Sequence, residues 1–453
     1  MATASVRPTV VQGNSAAFSH SLRPPRPQAH AWRHQHGARD GERAPRTCMV
    51  AHRHTLPPLS AFHPLLATAA DTGDFAAPEH KEFDVLGWGQ AMVDFSAHAS
   101  SEYLEELGVQ SGERRLIDLG RRTSLLSQLS EGGYAVHAAG SLSNTLLALA
   151  RLSDASARLH GRPPLRVGMA PLLGSDSLGA FYAASLRGAG LGLVGDPSPG
   201  SSTGTVIVLT GEDAQRTMLS YLGHIPALEV SDEFARAIRR SRLLVIEGYL
   251  WEMPGAAAAI DQAMGIAREA GTLIALTSGD AGVISRNREP VRACLARHGA
   301  DLLFANAAEA WALASEDGAA CAPSQDLPAR AAALALAPLA GLVSVTDGSA
   351  GSCIAALGAA ITVPPPWSRR PPVDTCGAGD AYAAGLLLGF LDHGGLAGMG
   401  EAAARAAAAV IARDGPGLDP SDAESAARAI QAARARRAAQ QLPVWVAEAE
   451  GAM

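Results

Sequence analysis

Short apolar segments alternate with amphipathic segments through residues 83–420, and this pattern predicts the fold class. Buried β-strands are expected at FDVLGWG (83–89), LRVGMAPLLG (165–174), LLVIEGYL (243–250), TLIALTSG (272–279), DLLFANAAE (301–309) and LVSVTDG (342–348). Helical spacing marks intervening segments such as SLSNTLLALARL (141–152) and SLGAFYAASLRGAG (177–190). This alternation predicts an α/β protein with a mostly parallel central sheet and helices on both of its faces.

Two segments depart from the alternation. TGTVIVLTGEDAQRTMLSYLG (203–223) predicts two strands around the turn GED, and we interpret it as a small β-flap that acts as a lid. The Ala/Arg-rich segment after Ser421 predicts a helix, which we interpret as a solvated terminal helix. The expected organisation is therefore one domain over residues 79–420, with a helix and tail at 421–453.

Residues 1–75 have a different composition. They contain eight Arg, many Ser, Ala and Pro, and only Asp40 and Glu42 as acids before Asp71. An Arg-rich, acid-poor segment without a continuous apolar core is typical of an organelle transit peptide. We expect residues 1–78 to be a transit peptide that directs the protein to a plastid. A mitochondrial transit peptide and the disordered tail of a cytoplasmic protein are the alternatives.

Composition limits the chemistry. The net charge of −7 argues against a general nucleic-acid surface, and no apolar run reaches the roughly 18–20 residues of a membrane span. The five cysteines form no CxxC pair. Lys81 is the only lysine and precedes the first strand, so a Walker-type phosphate loop and a catalytic Schiff base are both excluded. Phosphoryl transfer would have to rely on backbone N–H groups, metal and Arg.

The segment VDTCGAGDAY (373–382) has the composition of an anion site. Gly377, Ala378 and Gly379 are small and leave the backbone N–H groups accessible. If a helix begins there, those N–H groups and the helix dipole attract an anion. Asp380 directly follows these three residues and is the candidate general base.

Other candidates lie after predicted strands, where the ligand crevice of a parallel sheet is expected. Asp94 follows the first strand and could accept hydrogen bonds from a diol, although it could also be an ordinary turn residue. In AAGSLSN (138–144), Gly140 permits close approach and Asn144 offers a donor and an acceptor. A glycine loop with an N-cap serine would look the same.

Two later segments could bind a nucleotide or its metal ion. In FANAAE (304–309), Asn306 and Glu309 are three residues apart and would suit Mg²⁺ through water, or Glu309 could be an ordinary acid at a helix N-terminus. The glycine-rich VTDGSAGS (345–352) could pass under an adenine or ribose, or could be a simple hairpin turn.

Taken in order, these segments resemble the ribokinase family, also called the pfkB carbohydrate kinase family. The closing motif DTCGAGDAY matches the family's most specific pattern, and the resemblance covers roughly residues 83–420. VLGWGQAMVDFSA, EGYLW and LFANAAEA are most similar to the adenosine-kinase-like branch. The resemblance implies a ribokinase-like fold with a β lid, with ATP and Mg²⁺ as cofactors and a monovalent cation as a further candidate.

The resemblance also implies a role for each matching residue. The hydroxyls of the acceptor would be held by Asp94, Gly140, Ser141 and Asn144, and Arg216 on the flap would close over the phosphates. The ATP and metal sites would be formed by Asn306, Glu309, Thr346, Gly348, Gly351 and Gly379. The N–H groups of Gly377, Ala378 and Gly379 would form the anion hole, and Asp380 would be the base.

Two departures from the family pattern affect what we expect. Ala139-Gly140 stands where Gly-Gly is usual. This departure affects the identity of the acceptor more than the phosphoryl-transfer chemistry. Cys376 stands where Thr is frequent, and its thiol could be sensitive to oxidation. We expect an ATP-dependent nucleoside kinase of the adenosine type, acting on a small molecule as a monomer or homodimer. A ribose or fructose kinase and a catalytically silent kinase-like binding protein are the alternatives.

Overall fold

The computed structural model describes residues 81–130, 133–211, 215–315, 329–356, 358–366, 372–413 and 415–440. All of these belong to one unit of the chain, residues 55–453, and the other unit, residues 1–54, is outside the described residues. The predicted transit peptide, the turn residues 212–214 and the tail after residue 440 are outside them as well.

The described strands form two sheets. In chain order the strands are β1 (Phe83–Gln90), β2 (Met92–His98), β3 (Arg114–Leu116), β4 (Ala135–Ala139), β5 (Val167–Leu172), β6 (Gly192–Leu193), β7 (Gly204–Thr210), β8 (Arg216–Tyr221), β9 (Ser241–Ile246), β10 (Leu273–Thr277), β11 (Ala300–Asn306), β12 (Ala340–Thr346), β13 (Ser352–Ala356) and β14 (Ala359–Val363).

Helices connect most of these strands. In chain order they are α1 (Ser101–Glu106), α2 (Leu119–Leu129), α3 (Ser141–His160), α4 (Ser177–Gly188), α5 (Asp232–Arg239), α6 (Ala256–Glu269), α7 (Ala281–His298), α8 (Ala307–Ala314), α9 (Ala329–Leu336), α10 (Ala378–Leu391), α11 (Gly395–Ile411) and α12 (Pro420–Gln440). Short 3₁₀ helices lie at Gly248–Glu252 and Gly348–Ala350.

The main sheet has the strand order β14-β13-β12-β11-β10-β9-β1-β5-β6. Its strands from β12 to β6 in that order are parallel, and β13 and β14 are antiparallel to their neighbours. Successive residues of β1 and β9 belong to different cores: Val85 and Leu243 lie in one, Leu86 and Leu244 in the other. Both faces of the sheet are therefore covered, which confirms the predicted fold class.

The lid is larger than the predicted flap. Strands β7 and β8 form the expected antiparallel pair, but they are part of a five-stranded sheet with the order β3-β8-β7-β2-β4, which we call the lid sheet. Strand β2 follows β1 after the single residue Ala91 and joins this second sheet. Val93 and Phe95 of β2 are buried, because the inner face of the lid sheet packs into the core.

The segment 243–250 does not remain a strand. Strand β9 ends at Ile246, and a 3₁₀ helix follows from Gly248. A Cβ atom at Gly248 would lie 2.3 Å from the carbonyl oxygen of Ser278, so the chain passes tightly over the end of β10 as it turns. Close packing between neighbouring strand ends, which the apolar pattern did not reveal, ends the strand early.

The interpretation of the C-terminal helix as a solvated element is wrong. Helix α12 buries a stripe at helical spacing, made of Ala423, Ala426, Ala427, Ile430 and Ala433. The stripe packs against α11, where an added Cβ on Gly398 would lie 2.9 Å from the Cβ of Ala433. Small side chains on both helices permit this close approach, while Arg428, Arg434 and Arg436 are exposed.

Candidate active site

A cavity of about 780 Å³ lies between the main sheet and the lid sheet. One wall is formed by the carboxyl ends of β1, β9, β10, β11 and β12, and the other includes Met92, Asp94, Val206 and Met218 of the lid sheet. The start of α10 closes one end. The cavity therefore occupies the place where an open parallel sheet binds its ligands.

The predicted anion loop is the N-terminus of α10. Gly377 is the N-cap residue, with a φ of 74° that favours glycine, and a Cβ there would lie 2.4 Å from the Cβ of Pro416. The first i to i−4 bond of the helix is donated by Ala381 N, so the N–H groups of Gly379 and Asp380 have no acceptor within the helix. The N–H group of Ala378 donates to Thr375 O at 3.3 Å.

Gly379 lies at the cavity surface. A Cβ added to this residue would meet no atom within 4 Å, so packing does not require a glycine here. A side chain would instead enter the cavity beside the free N–H groups. The geometry fits an anion that approaches the helix N-terminus along its dipole.

Asp380 is held by two side chains of helix α3. Its Oδ1 accepts a hydrogen bond from Ser141 Oγ at 2.6 Å, and its Oδ2 accepts one from Asn144 Nδ2 at 3.2 Å. Burial raises the pKa of Asp380 to about 6, although the two donors act in the opposite direction. A carboxylate with a pKa near 6 is a more effective base at neutral pH than one near 4.

Helix α3 begins at the cavity because of Gly140. This residue is the N-cap, with a φ of 109°, and a Cβ there would lie 3.1 Å from Gln90 O. Gly140, Ser141 and Asn144 all line the cavity, as the sequence predicted. Ser141 and Asn144 contact the predicted base, and their role toward an acceptor remains a prediction.

Asp94 lies across the cavity on strand β2 of the lid sheet, not at the end of a main-sheet strand. Burial raises the pKa of Asp94 to about 7, with Arg216 acting in the opposite direction. Within the described part of the chain, no side chain or N–H group donates a hydrogen bond to its carboxylate. This unpaired carboxylate faces the cavity and is available to a ligand.

Arg216 is bound to the loop that precedes α10. It begins strand β8, and its Nη2 lies 2.7 Å from Asp374 Oδ2. The same carboxylate accepts hydrogen bonds from Cys376 N at 2.9 Å and from Gly415 N at 2.8 Å. Asp374 thus connects the lid sheet to the anion loop, and the expected contact of Arg216 with phosphates remains a prediction.

Asn306 and Glu309 form a capping box at the start of α8. Asn306 Oδ1 accepts from Glu309 N, and the carboxylate of Glu309 accepts from Asn306 N and Nδ2 at 2.9 Å and 2.7 Å. Burial raises the pKa of Glu309 to about 7. Because both carboxylate oxygens already accept hydrogen bonds, the pair fits a hydrated Mg²⁺ held through water better than a directly bound ion.

The described residues contain no group of three or more His, Cys, Asp or Glu side chains arranged to hold a metal ion. Metal binding at Asn306 and Glu309 would therefore depend largely on ligands from the substrates and on water, with Asp280 as a further carboxylate of the cavity near Glu309. This arrangement is common for Mg²⁺ that accompanies nucleotide phosphates.

Of the three predicted ATP residues at the end of β12 and in the following turn, only one is a lining residue of the cavity. Thr346, at the end of β12, lines the cavity, whereas Gly348 and Gly351 lie in the following turn and are not among its lining residues. A Cβ on Gly351 would lie 2.3 Å from Val363 O, so packing against β14 requires this glycine. A nucleotide would have to extend beyond the cavity to reach either glycine.

Sequence reasoning missed Glu247. This carboxylate follows β9, is 1 % exposed and accepts hydrogen bonds from Gln90 N at 2.6 Å and Leu142 N at 3.0 Å. Burial, with a smaller contribution from the charge of Asp380, raises the pKa of Glu247 to about 7, although the hydrogen bonds from Gln90 and Leu142 act in the opposite direction. The rule that drew attention to Asp94, a carboxylate directly after a buried strand, also applies to Glu247 and could have found it.

Cys376 is half-buried and lines the cavity. Burial raises its pKa, and the neighbouring Asp374 carboxylate raises it further. Oxidation proceeds through the thiolate, so a raised pKa disfavours it.

Comparisons with known proteins identify the family of this chain. The model of the pfkB family carbohydrate kinases matches residues 114–423. The adenosine kinase from Sinorhizobium meliloti is 30 % identical, with a TM-score of 0.64 over 78 % of this chain and 99 % of that one. A probable sugar kinase from Rhizobium etli CFN 42 is 27 % identical, with a TM-score of 0.65 over 77 % and 99 %.

More distant structures share the fold. The adenosine kinase from Anopheles gambiae is 20 % identical, with a TM-score of 0.60 over 73 % of this chain and 96 % of that one. No match was found among curated proteins.

The fold and the cavity together define an ATP-dependent kinase that transfers a phosphoryl group to the alcohol of a small molecule. The chain belongs to the pfkB family of carbohydrate kinases, and its fold is ribokinase-like, as in the adenosine kinases. Among the helices that the structure describes, none has the length and apolar character needed to cross a membrane.

Proposed function

We propose that the protein is a nucleoside kinase of the adenosine type, which transfers the γ-phosphoryl group of ATP to a 5′-hydroxyl. The observation that carries this proposal is a pair of carboxylates that line one cavity from two different elements. Asp380 lies beside the accessible N–H groups of α10, and Asp94, which accepts no hydrogen bond from the described residues, lies on the lid sheet. One carboxylate is placed to receive a proton, and the other to hold the acceptor.

In the proposed reaction Asp380 accepts the proton of the primary hydroxyl as the hydroxyl oxygen forms its bond to the γ-phosphorus. The bond between that phosphorus and the oxygen of ADP breaks in line. The N–H groups of Gly377 and Gly379 bind the oxygens where charge develops, together with that of Ala378, which first releases its 3.3 Å bond to Thr375 O. Loss of one such donor typically lowers the rate about 10²–10³-fold. Arg216 moves from Asp374 to the phosphates.

The pair Asn306 and Glu309 would hold Mg²⁺ through water. When bound, Mg²⁺ would supply positive charge that offsets the negative charge of the phosphates. Thr346 contributes to the nucleotide site beside them. Lid closure over the cavity excludes water, which limits hydrolysis of ATP. We also propose a monovalent cation as a cofactor. Varying the potassium concentration in the activity assays tests this.

The choice of acceptor separates two candidates. The 30 % identical structure is an adenosine kinase, which supports a nucleoside, and the 27 % identical structure is a probable sugar kinase, which supports a sugar. In the nucleoside case the Asp94 carboxylate holds the 2′- and 3′-hydroxyls of the ribose. A carboxylate left with one partner costs about 1–3 kcal/mol, so a 2′-deoxynucleoside should be a poorer substrate.

The test measures kcat/KM with ATP for adenosine, 2′-deoxyadenosine, inosine, ribose and fructose. Adenosine should exceed 2′-deoxyadenosine by at least about tenfold, and Asp94→Ala should remove most of this preference while it lowers kcat/KM. Asp84→Ala is the matched control, because Asp84 is also buried but pairs with Arg166 and Arg242 at the far end of the main sheet. A higher value for fructose or ribose than for every nucleoside would establish the sugar-kinase alternative.

We further propose that residues 1–78 direct the protein to an organelle, a plastid in preference to a mitochondrion. Support comes only from the Arg-rich, acid-poor composition of residues 1–75. The oligomeric state stays open between monomer and homodimer, and sedimentation of the active protein would distinguish them.

A further inference from the structure

The chain crosses between the main sheet and the lid sheet at four places. The first crossing is Ala91, between β1 and β2, and the second is Gly140, between β4 and α3. The third is the segment between β6 and β7, and the fourth is the segment between β8 and α5. Any movement of the lid sheet over the cavity must be taken up at these crossings, because the strands themselves are rigid.

The carboxylate of Glu247 joins the first two crossings. One oxygen accepts from Gln90 N at 2.6 Å, directly before Ala91, and the other accepts from Leu142 N at 3.0 Å, directly after Gly140 and Ser141. The side chain comes from the end of β9 in the main sheet and is fully enclosed. A Cβ on Gly89 would lie 2.7 Å from Glu247 Oε2, so β1 has room for the carboxylate only because residue 89 is glycine.

The side chain of Gln90 extends the same connection to the fourth crossing. Its Nε2 donates to Leu222 O, the residue after β8, at 2.7 Å. The fourth crossing is bonded in turn to the third, because Ser202 and His224 exchange two backbone hydrogen bonds of 3.0 Å. One continuous set of hydrogen bonds, with Glu247 at its origin, therefore includes all four crossings.

The same carboxylate also orders the first turn of α3. Leu142 N is one of the four helix N–H groups that lack an acceptor within a helix, and a negative charge at this terminus is favourable. Ser141 and Asn144 of this turn donate to Asp380. A shift of the first turn would therefore move the hydrogen bonds that orient the proposed base.

We propose that Glu247 is a positioning residue that fixes the hinge of the lid sheet and the first turn of α3 in one arrangement. Its two oxygens are fully used by two N–H groups from different crossings. A neutral side chain of the same size cannot replace it, because glutamine offers one acceptor oxygen and would direct its own NH₂ group at the second N–H donor. The role does not depend on which acceptor the enzyme phosphorylates.

The test is amide hydrogen exchange of the full chain without substrates. In Glu247→Gln we expect exchange in lid strands β2, β4, β7 and β8 to rise about tenfold, since one charge-assisted hydrogen bond is lost and one donor is left unpaired. Exchange in β11 and β12 of the main sheet should be unchanged. Gln90→Met removes only the bond to Leu222, so its increase should be largest in β8.

Asp301→Asn is the matched control. Asp301 is 2 % exposed and also accepts from a backbone N–H, that of Ile274 at 2.7 Å, but it lies at the amino ends of β10 and β11. This variant should lower the midpoint of denaturant unfolding and leave lid exchange unchanged. If Glu247→Gln does not fold, the comparison of lid exchange in Gln90→Met with that in Asp301→Asn still tests the proposal.

Steady-state kinetics, measured together with lid exchange, distinguish an effect on the hinge of the lid sheet from the loss of a direct contact with the substrate. With the best acceptor of the substrate panel, Glu247→Gln should raise KM for the acceptor about tenfold, together with the faster lid exchange. Exchange that rises in β11 and β12 as much as in the lid strands would show a purely structural role and overturn the proposal. Lid exchange at the wild-type rate in both Glu247→Gln and Gln90→Met would overturn the proposal, whatever happens to the kinetics.

Discussion

Asp380 illustrates how single residues acquire their chemistry from their surroundings. Its position after Gly379 is set by the local motif, but its pKa is set by burial and by donors on another helix. Three further carboxylates that line the cavity, Asp94, Glu247 and Glu309, also have pKa values raised to about 7 by burial. Several groups of the cavity therefore change charge close to neutral pH.

The pH dependence of catalysis follows from the raised pKa of Asp380. Its protonated form predominates below about pH 6 and cannot accept a proton, so kcat should fall as the pH decreases through about 6. Asp380→Asn should lower kcat about 10²-fold or more and leave ATP binding largely intact, because the amide has the same size but is not a base. The measurements are a kcat–pH profile and an ATP titration of both proteins. Turnover at the wild-type rate in Asp380→Asn would remove this residue from the mechanism.

The metal role of Glu309 can be separated from its capping role. Gln at this position still accepts from Asn306 N, so the capping box is preserved while the charge is removed. We expect Glu309→Gln to raise the Mg²⁺ concentration needed for half-maximal activity and to lower kcat. A Mg²⁺ titration at saturating ATP tests this, with Asn306→Ala as a variant that removes the cap acceptor of Glu309 N and keeps the charge of Glu309. An unchanged titration for Glu309→Gln would leave only the capping role.

At the scale of elements, the C-terminal helix is part of the core. Helix α12 packs against α11 and α3, and α11 packs in turn against the catalytic helix α10. The packing is based on alanine, so its sequence resembles that of a surface helix rich in Ala and Arg. The buried stripe becomes visible only when the neighbouring helices are present.

Substitution within that stripe tests its contribution. Ala427→Glu would place a charge at a position with no exposure, and we expect it to lower the free energy of unfolding by about 3 kcal/mol or more. Arg428→Ala is the control, because Arg428 is exposed and pairs only with Glu424 at the helix surface, a contact that typically contributes about 0.3–0.5 kcal/mol. Denaturant unfolding measures both. Equal midpoints for the two variants would contradict the assignment of α12 to the core.

At the scale of the whole molecule, the described structure begins after the proposed transit peptide. Residues 81–440 contain the main sheet, the lid sheet and every residue of the cavity. Catalysis should therefore be independent of residues 1–78.

Targeting and activity can be tested separately on this basis. A chain that starts at residue 78 should be soluble and active, and residues 1–75 fused to a fluorescent reporter should enter a plastid. Replacement of the eight arginines of this segment with alanine is the control and should abolish import. A wild-type fusion that remains in the cytosol would reject the transit peptide, and import into mitochondria would replace the plastid assignment.

The sequence by itself determined the parallel strands β1, β5, β9, β10, β11 and β12, the β7–β8 pair and the location of the anion loop. These features depend on neighbouring residues: apolar runs form buried strands, and Gly377 adopts the left-handed conformation that the start of α10 requires. The resemblance to the ribokinase family also implied that Asp94, Gly140, Asn144, Asn306 and Thr346 would lie near one site, and all five line the cavity. Gly348 and Gly351, which it placed at the same site, do not line it.

Only the tertiary structure decided how these residues are connected. Ser141 and Asn144 bond to Asp380 across 239 and 236 positions of sequence, and Glu247 reaches Gln90 across 157. The placement of Asp94 on the lid sheet and the burial of α12 likewise depend on distant segments. No local pattern encodes such contacts, because they arise when the two sheets and their helices pack together and bury polar groups that must then find partners.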